Sequence, residues 1–261
     1  MTAGLAGFWL GLIWFAALLV TFLALGAVGW PGRDDECVQQ SACYCERFRV
    51  GMVKQPSNTW SNLAFVLVGL LVLLSAAGAP AEARNPMTTE PFYAISYGLL
   101  VITLGPGSMF FHASMKGWAG ILDNLSMFFF VSFVLIYDVF RLIGSESVPG
   151  FALVYLAVNA ALFALRLSWA GSGTWIFGSL VALTVVIEVL VLANLGNAHR
   201  EFLPWLLTAL LIFGAAIAVW SLSNTGGPLC RPESWFQGHA LWHILTAATT
   251  GFVYLYLLTE V

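Results

Sequence analysis

Eight apolar stretches divide the chain, at positions 4–30, 59–79, 91–113, 119–142, 149–169, 174–195, 202–222 and 236–258. A helix needs about 20 mostly apolar residues to cross roughly 30 Å of hydrocarbon, so each stretch predicts one membrane-spanning helix. The connections are short and carry turn signals, at Pro31-Gly32, Pro80, Pro86, Pro91, Pro149 and Gly226-Gly227-Pro228. The expected fold is an all-α integral membrane bundle of eight helices, with no room for a separate soluble domain. The first stretch reads as a retained helix. It has no basic n-region, it is longer than the about 7–15 residues of a leader's apolar core, and GAVGW at its end is a poor cleavage site.

Composition agrees with this pattern. Of 261 residues, 60% are hydrophobic and 9% charged, against about 25% charged in a soluble domain. The net charge of -3 is spread over the loops. No basic stripe interleaved with aromatic residues is present, so a nucleic-acid partner is not expected.

Counting crossings assigns the polar segments to two faces. One face carries residues 31–58, 114–118, 170–173 and 223–235; the other carries 80–90, 143–148, 196–201 and both termini. His112 ends the third span, Asp123 lies one turn into the fourth, and His239 and His243 open the eighth, so all four share one depth beneath the first face. His239 and His243 are spaced i, i+4 and project from one side of their helix about 6 Å apart; Ser108 and His112 stand in the same relation. Ionisable residues in a membrane span are costly and turn towards the bundle interior. Three imidazoles with an open fourth position form the ligand set of a catalytic zinc that activates water. Other readings stay open at this point. A single histidine can bond a backbone carbonyl, and H-x-x-x-H also suits a haem-bearing bundle. Asp123 can simply favour the positive end of a helix dipole, worth under about 1 kcal/mol, and Ser108 can bond its own helix.

The motifs NTWSN (58–62), GSMFFHASM (107–115), DNLSM (123–127) and GHALWH (238–243) resemble the ordered signatures of the alkaline ceramidase family. That family is part of a superfamily of seven-helix hydrolases that includes the adiponectin and progestin receptors. The resemblance implies a seven-helix core over 59–261, preceded by an additional transmembrane helix (1–30) and a Cys-containing non-cytoplasmic loop (31–58). It implies a zinc-dependent amidase that hydrolyses ceramide, or a related N-acyl lipid of the membrane, to a long-chain amine and a fatty acid. His112, His239 and His243 would hold zinc, Asp123 would orient or deprotonate the attacking water, and Ser108 would steady the oxyanion. A lipid-sensing receptor with a structural zinc and a bis-histidine haem protein are the alternatives.

The same resemblance implies a calcium site, which this chain does not complete. Tyr44-Cys45-Glu46 resembles part of the family's acidic cluster, but Cys43 and Phe48 stand where the family has Asp and Asn, and Gln55 where it has Glu. Calcium takes about six to eight oxygen ligands, several of them carboxylates; Gln55 is expected instead to bond a substrate or tie the loop to the helix. The short loops and extra first helix resemble a bacterial branch, which implies an inner-membrane protein with its site near the periplasmic face.

Cys37, Cys43, Cys45 and Cys230 all lie on the histidine face, which predicts disulfides and an oxidising compartment. A bridge from the first loop to Cys230 is expected to clamp that loop over the GHALWH helix; free thiols are the alternative. Arg33, Arg47, Arg49, Lys54, Lys116 and Arg231 crowd the same face, with Arg166 close to it, against Arg84, Arg141 and Arg200 on the other. Positive-inside counting therefore points the opposite way. The cysteines and the family orientation are taken as decisive, with the basic residues expected to meet lipid headgroups or to pair with Asp34, Asp35, Glu36 and Glu46. Glu188, Asn159 and Arg166 are expected to form an internal network, and Asp138 to be interfacial. Gly105-Pro106-Gly107 is expected to loosen the third span, as a lateral path for an acyl chain or as a packing kink.

Overall fold

A computed structural model describes residues 3–40, 43–76, 86–195 and 202–259. The elements are α1 (Ala3–Ala27), α2 (Glu36–Gln39), α3 (Pro56–Trp60), α4 (Leu63–Ser75), α5 (Pro86–Thr89), α6 (Pro91–Ser114), α7 (Gly117–Leu142), α8 (Val148–Ser168), α9 (Gly173–Leu195), α10 (Leu203–Ser223) and α11 (Gly238–Thr259). Eight stretches are long and apolar enough to cross a membrane, α3 and α4 together forming the second, Pro56–Ser75. They coincide with the eight predicted spans. The expected end of the second span at 77–79, the loops 80–85 and 196–201 and their residues Pro80, Arg84 and Arg200 lie outside the described residues. Proline opens α3, α6, α8 and α10, where a missing backbone N–H costs nothing.

The central helix is α6, packed against α1, α4 and α7 and buried along most of its length. Leu153, Leu156, Trp175 and Leu211, on the peripheral helices α8 to α10, stay exposed. That outward face suits lipid tails, which are as apolar as leucine, so helices in a bilayer associate through close contact at small residues. A Cβ on Gly69 would meet Gly98 O at 2.7 Å, and one on Gly98 would meet Leu73 Cγ at 2.6 Å, so α4 and α6 touch along their backbones. The Gly105-Pro106-Gly107 stretch belongs to the same kind of contact. Helix α6 runs through Pro106. A Cβ on Gly105 would lie 2.8 Å from Asn62 O, and one on Gly107 2.7 Å from Ser126 Oγ. The tripeptide draws α6 against both neighbours, which favours the packing alternative over a lateral path.

Opposite the histidine end, Arg141 Nη1 donates to Asp138 Oδ1 and to Glu188 Oε2, both at 2.8 Å, and the Tyr256 hydroxyl donates to Glu188. This corrects one expectation. Glu188 pairs with Arg141 rather than with Arg166, because α9 packs on α7. Asp138, in the last turns of α7, is buried within the bundle. Arg166 Nε donates to Asn124 Oδ1 at 2.7 Å, and Asn159 Oδ1 accepts from Ser132 Oγ at 3.1 Å, so the two do not share a network with Glu188.

At the histidine end, the segment leading into α3 closes over the bundle. Backbone N–H groups of Asp35, Lys54 and Gln55 donate to the carbonyls of Met115, Ala113 and His112 at 2.9, 3.0 and 3.1 Å, satisfying acceptors that the last turn of α6 would leave unpaired. Cys45–Cys230 joins this segment to the one preceding α11, as expected, and Cys37–Cys43 closes a second, local bridge. Lys116 pairs with Asp34 at 2.7 Å. Arg47 and Arg49 pair with Glu233 at 2.7 and 3.5 Å rather than with Glu46, whose carboxylate is engaged elsewhere.

Candidate metal centre

Helix α6 ends at Ser114 and α11 begins at Gly238, which brings His112 and His239 to the same end of the bundle. His112, His239 and His243 are all buried, each offering one ligand nitrogen, and these nitrogens lie within 4.8 Å of one another. His112 Nε2 and His239 Nε2 are 3.1 Å apart. At zinc–nitrogen bonds of about 2.0–2.1 Å, two ligands of a tetrahedral ion stand about 3.4 Å apart. The donor set and its spacing therefore fit a divalent metal of the zinc type.

The groups behind the histidines aim them. Gln55 Nε2 donates to the backbone carbonyls of Cys43 and Glu46 at 3.2 and 2.8 Å. Both partners are pure acceptors, so the amide orientation is decided and Gln55 Oε1 must face His112 Nδ1, at 2.8 Å. His112 Nδ1 then donates, which leaves the Nε2 lone pair free. Ser61 works in the same way on the other helix. Its hydroxyl donates to Asn58 O at 3.1 Å and so accepts from His243 Nδ1 at 2.8 Å. Outer partners of this kind fix a ligand's tautomer and ring orientation. His239 Nδ1, by contrast, is buried with no hydrogen-bond partner. We expect Gln55→Ala to weaken metal binding about 10- to 100-fold, read by competition against a chromophoric zinc chelator; unchanged affinity would show that His112 needs no such partner.

The histidine ring without a polar partner has an aromatic one. The Tyr44 ring lies 3.9 Å from that of His239 and 4.9 Å from that of His112, centroid to centroid. Tyr44 adopts φ 35°, a left-handed conformation that costs a non-glycine residue about 1–3 kcal/mol and persists only when its surroundings impose it. Burial, followed by the Asp123 and Asp35 carboxylates, pushes its hydroxyl above the usual phenol range, so it stays protonated at any physiological pH. The hydroxyl thus feels Asp123 while the ring covers the imidazoles. Ser108, one helical turn before His112, lies beside the Asp123 carboxylate, and both residues are buried. The three histidines form one cluster; Ser108 lies on α6 and Asp123 within the first two turns of α7.

Glu46 and Gln55 are also at this end, in roles that do not fit calcium. The Glu46 carboxylate accepts from the backbone N–H groups of Ser57 and Asn58, each at 2.8 Å, capping the start of α3. Gln55 points its amide N–H groups at the carbonyls of Cys43 and Glu46. Oxygen atoms already committed to N–H donors cannot furnish the shell of six or more that calcium takes. Sequence reasoning did not assign Ser61 and Tyr44 any role. Ser61 stands inside NTWSN, and Tyr44 lies between two cysteines of different bridges; those were the signals available.

An all-α bundle with eight membrane-length helices and a buried three-histidine group beneath one end defines a multi-pass membrane protein with a candidate metal centre. A family model described as Ceramidase matches residues 44–260. The chain therefore belongs to the ceramidase family, whose members are membrane hydrolases acting on amides. A comparison with curated proteins finds no match.

Proposed function

We propose that this protein is a zinc-dependent membrane amidase that cleaves ceramide or a related N-acyl lipid into a long-chain amine and a fatty acid. The observation that carries this reading is the buried three-histidine cluster in a chain of the ceramidase family. His112, His239 and His243 would hold the ion. A zinc ion supplies Lewis acidity, polarising the amide carbonyl and making water a nucleophile near neutral pH. Asp123 accepts the proton that water loses on attack and returns it to the departing amine. Once Asp123 has taken that proton, the Ser108 hydroxyl is free to donate to the oxygen that becomes negative as the carbonyl carbon turns tetrahedral. The shallow placement lets the lipid's amide reach the site while its tails remain at the depth of the hydrocarbon.

The family match begins at Tyr44, which supports a core of seven helices behind an added α1 and a Cys-bearing loop. The two disulfides at the histidine end support an oxidising, non-cytoplasmic location for that end, periplasmic in a bacterial inner membrane. A reporter fused to the C-terminus should then read as cytoplasmic; an external reading would reverse the orientation.

The test is incubation of the purified protein, in lipid, with a defined N-acyl sphingoid base. We expect equimolar free base and fatty acid by mass spectrometry. A zinc-loaded protein that binds such lipids without cleaving any of them would instead be the receptor-like reading. A Soret band in the purified protein would establish the haem reading.

A further inference from the structure

Three observations meet at Tyr44 and are not used by the mechanism above. His112 and His243 have polar partners behind them, whereas His239 Nδ1 has none and its ring lies against the Tyr44 ring at 3.9 Å and 31°. Tyr44 is flanked by Cys43 and Cys45, which are bridged to different partners, Cys37 and Cys230, so its backbone is tied on both sides. Finally, a depression of about 260 Å³ opens at the histidine end, lined by Val38, Cys43, Tyr44, Cys45, Glu46 and Phe48. Tyr44 lines this depression, and its ring also lies against the imidazoles of His239 and His112.

We propose that Tyr44 is a positioning residue that holds the His239 ring and partitions the outer depression from the histidine cluster, so that aqueous solutes reach the cluster only when this side chain is displaced. The inference takes the cluster as the site of reaction, as proposed above. Chemically, the residue suits the task. A phenol ring presents a flat apolar surface to an imidazole and carries a polar tip at its other end. Both bridges must be intact for the left-handed backbone at Tyr44 to be imposed, which makes the Cys45–Cys230 bond part of the same device. The depression supplies a route for water inwards and for a polar product group outwards, on the side opposite the lipid.

The partition is tested on the metal-free full-length protein in lipid nanodiscs, using carbethoxylation by diethyl pyrocarbonate mapped to individual histidines by mass spectrometry. We expect His239 to be protected in the parent protein, Tyr44→Ala to raise its rate of modification about tenfold or more, and Tyr44→Phe, which keeps the ring, to remain protected. Reducing the disulfides of the folded parent protein with a phosphine should have the same effect as Tyr44→Ala, and keeps the test open should that variant not fold. The proposal is overturned if His239 in the parent reacts as fast as in Tyr44→Ala, if both opened forms stay protected, or if Tyr44→Phe opens the site. Because no metal and no substrate are present, an inactive parent protein with intact protection would count against the amidase reading alone.

Discussion

Replacing His243 with alanine should abolish amide hydrolysis and empty the metal site together. Three neutral nitrogen ligands are the minimum set of a catalytic zinc site, and the burial of this cluster leaves no water-filled surface to supply a substitute. Lewis-acid stabilisation is worth several kcal/mol, and each 1.36 kcal/mol is about a factor of ten in rate, so the loss should reach about a thousandfold or more. Metal analysis and lipid hydrolysis measured on the same preparation decide the point. A His243→Ala protein that keeps one metal per chain and its activity would remove the cluster from the mechanism.

Changing Asp123 to asparagine should separate chemistry from metal binding. The amide matches the carboxylate in shape and can still bond Ser108, but it cannot take a proton. Loss of a general base lowers rates by about 10²- to 10⁴-fold, and here metal content should stay at the parent value. Ser108→Ala should lose about 10²- to 10³-fold, the usual effect of removing one oxyanion donor. Ser108 and Asp123 are neighbours, so the double variant should fall short of the product of the two single losses. Full activity in Asp123→Asn, or strictly multiplicative losses, would show that the pair does not act as a unit.

The eight helices were legible in the sequence because a bilayer imposes a length and a composition on every crossing, and Pro56, Pro91, Pro149 and Pro204 mark helix entries by the same chemistry in any context. The histidines were legible for a related reason. The i, i+4 spacing of His239 and His243 is a property of one helix, and the parity of membrane crossings places His112 at the same end. A bridge from the first loop to Cys230 followed from that parity too.

What escaped the sequence concerns pairs of helices. Glu188 was assigned to the wrong arginine because periodicity tells which side of α9 it occupies, not that α7 is the helix packed there. The glycines around Pro106 were read as a weakness of α6, although a close approach is visible only once Asn62 and Ser126 are in place beside them. The engagement of Gln55 with His112, of Ser61 with His243 and of Tyr44 with His239 depends on side-chain directions across different elements. The sequence by itself determined a membrane bundle and the three histidines that share one end of it, since hydrophobic length and helical period are local quantities. Which nitrogen of each histidine points inward, and what covers it, only the tertiary structure decided, because those depend on distances between atoms that no periodicity along the chain encodes.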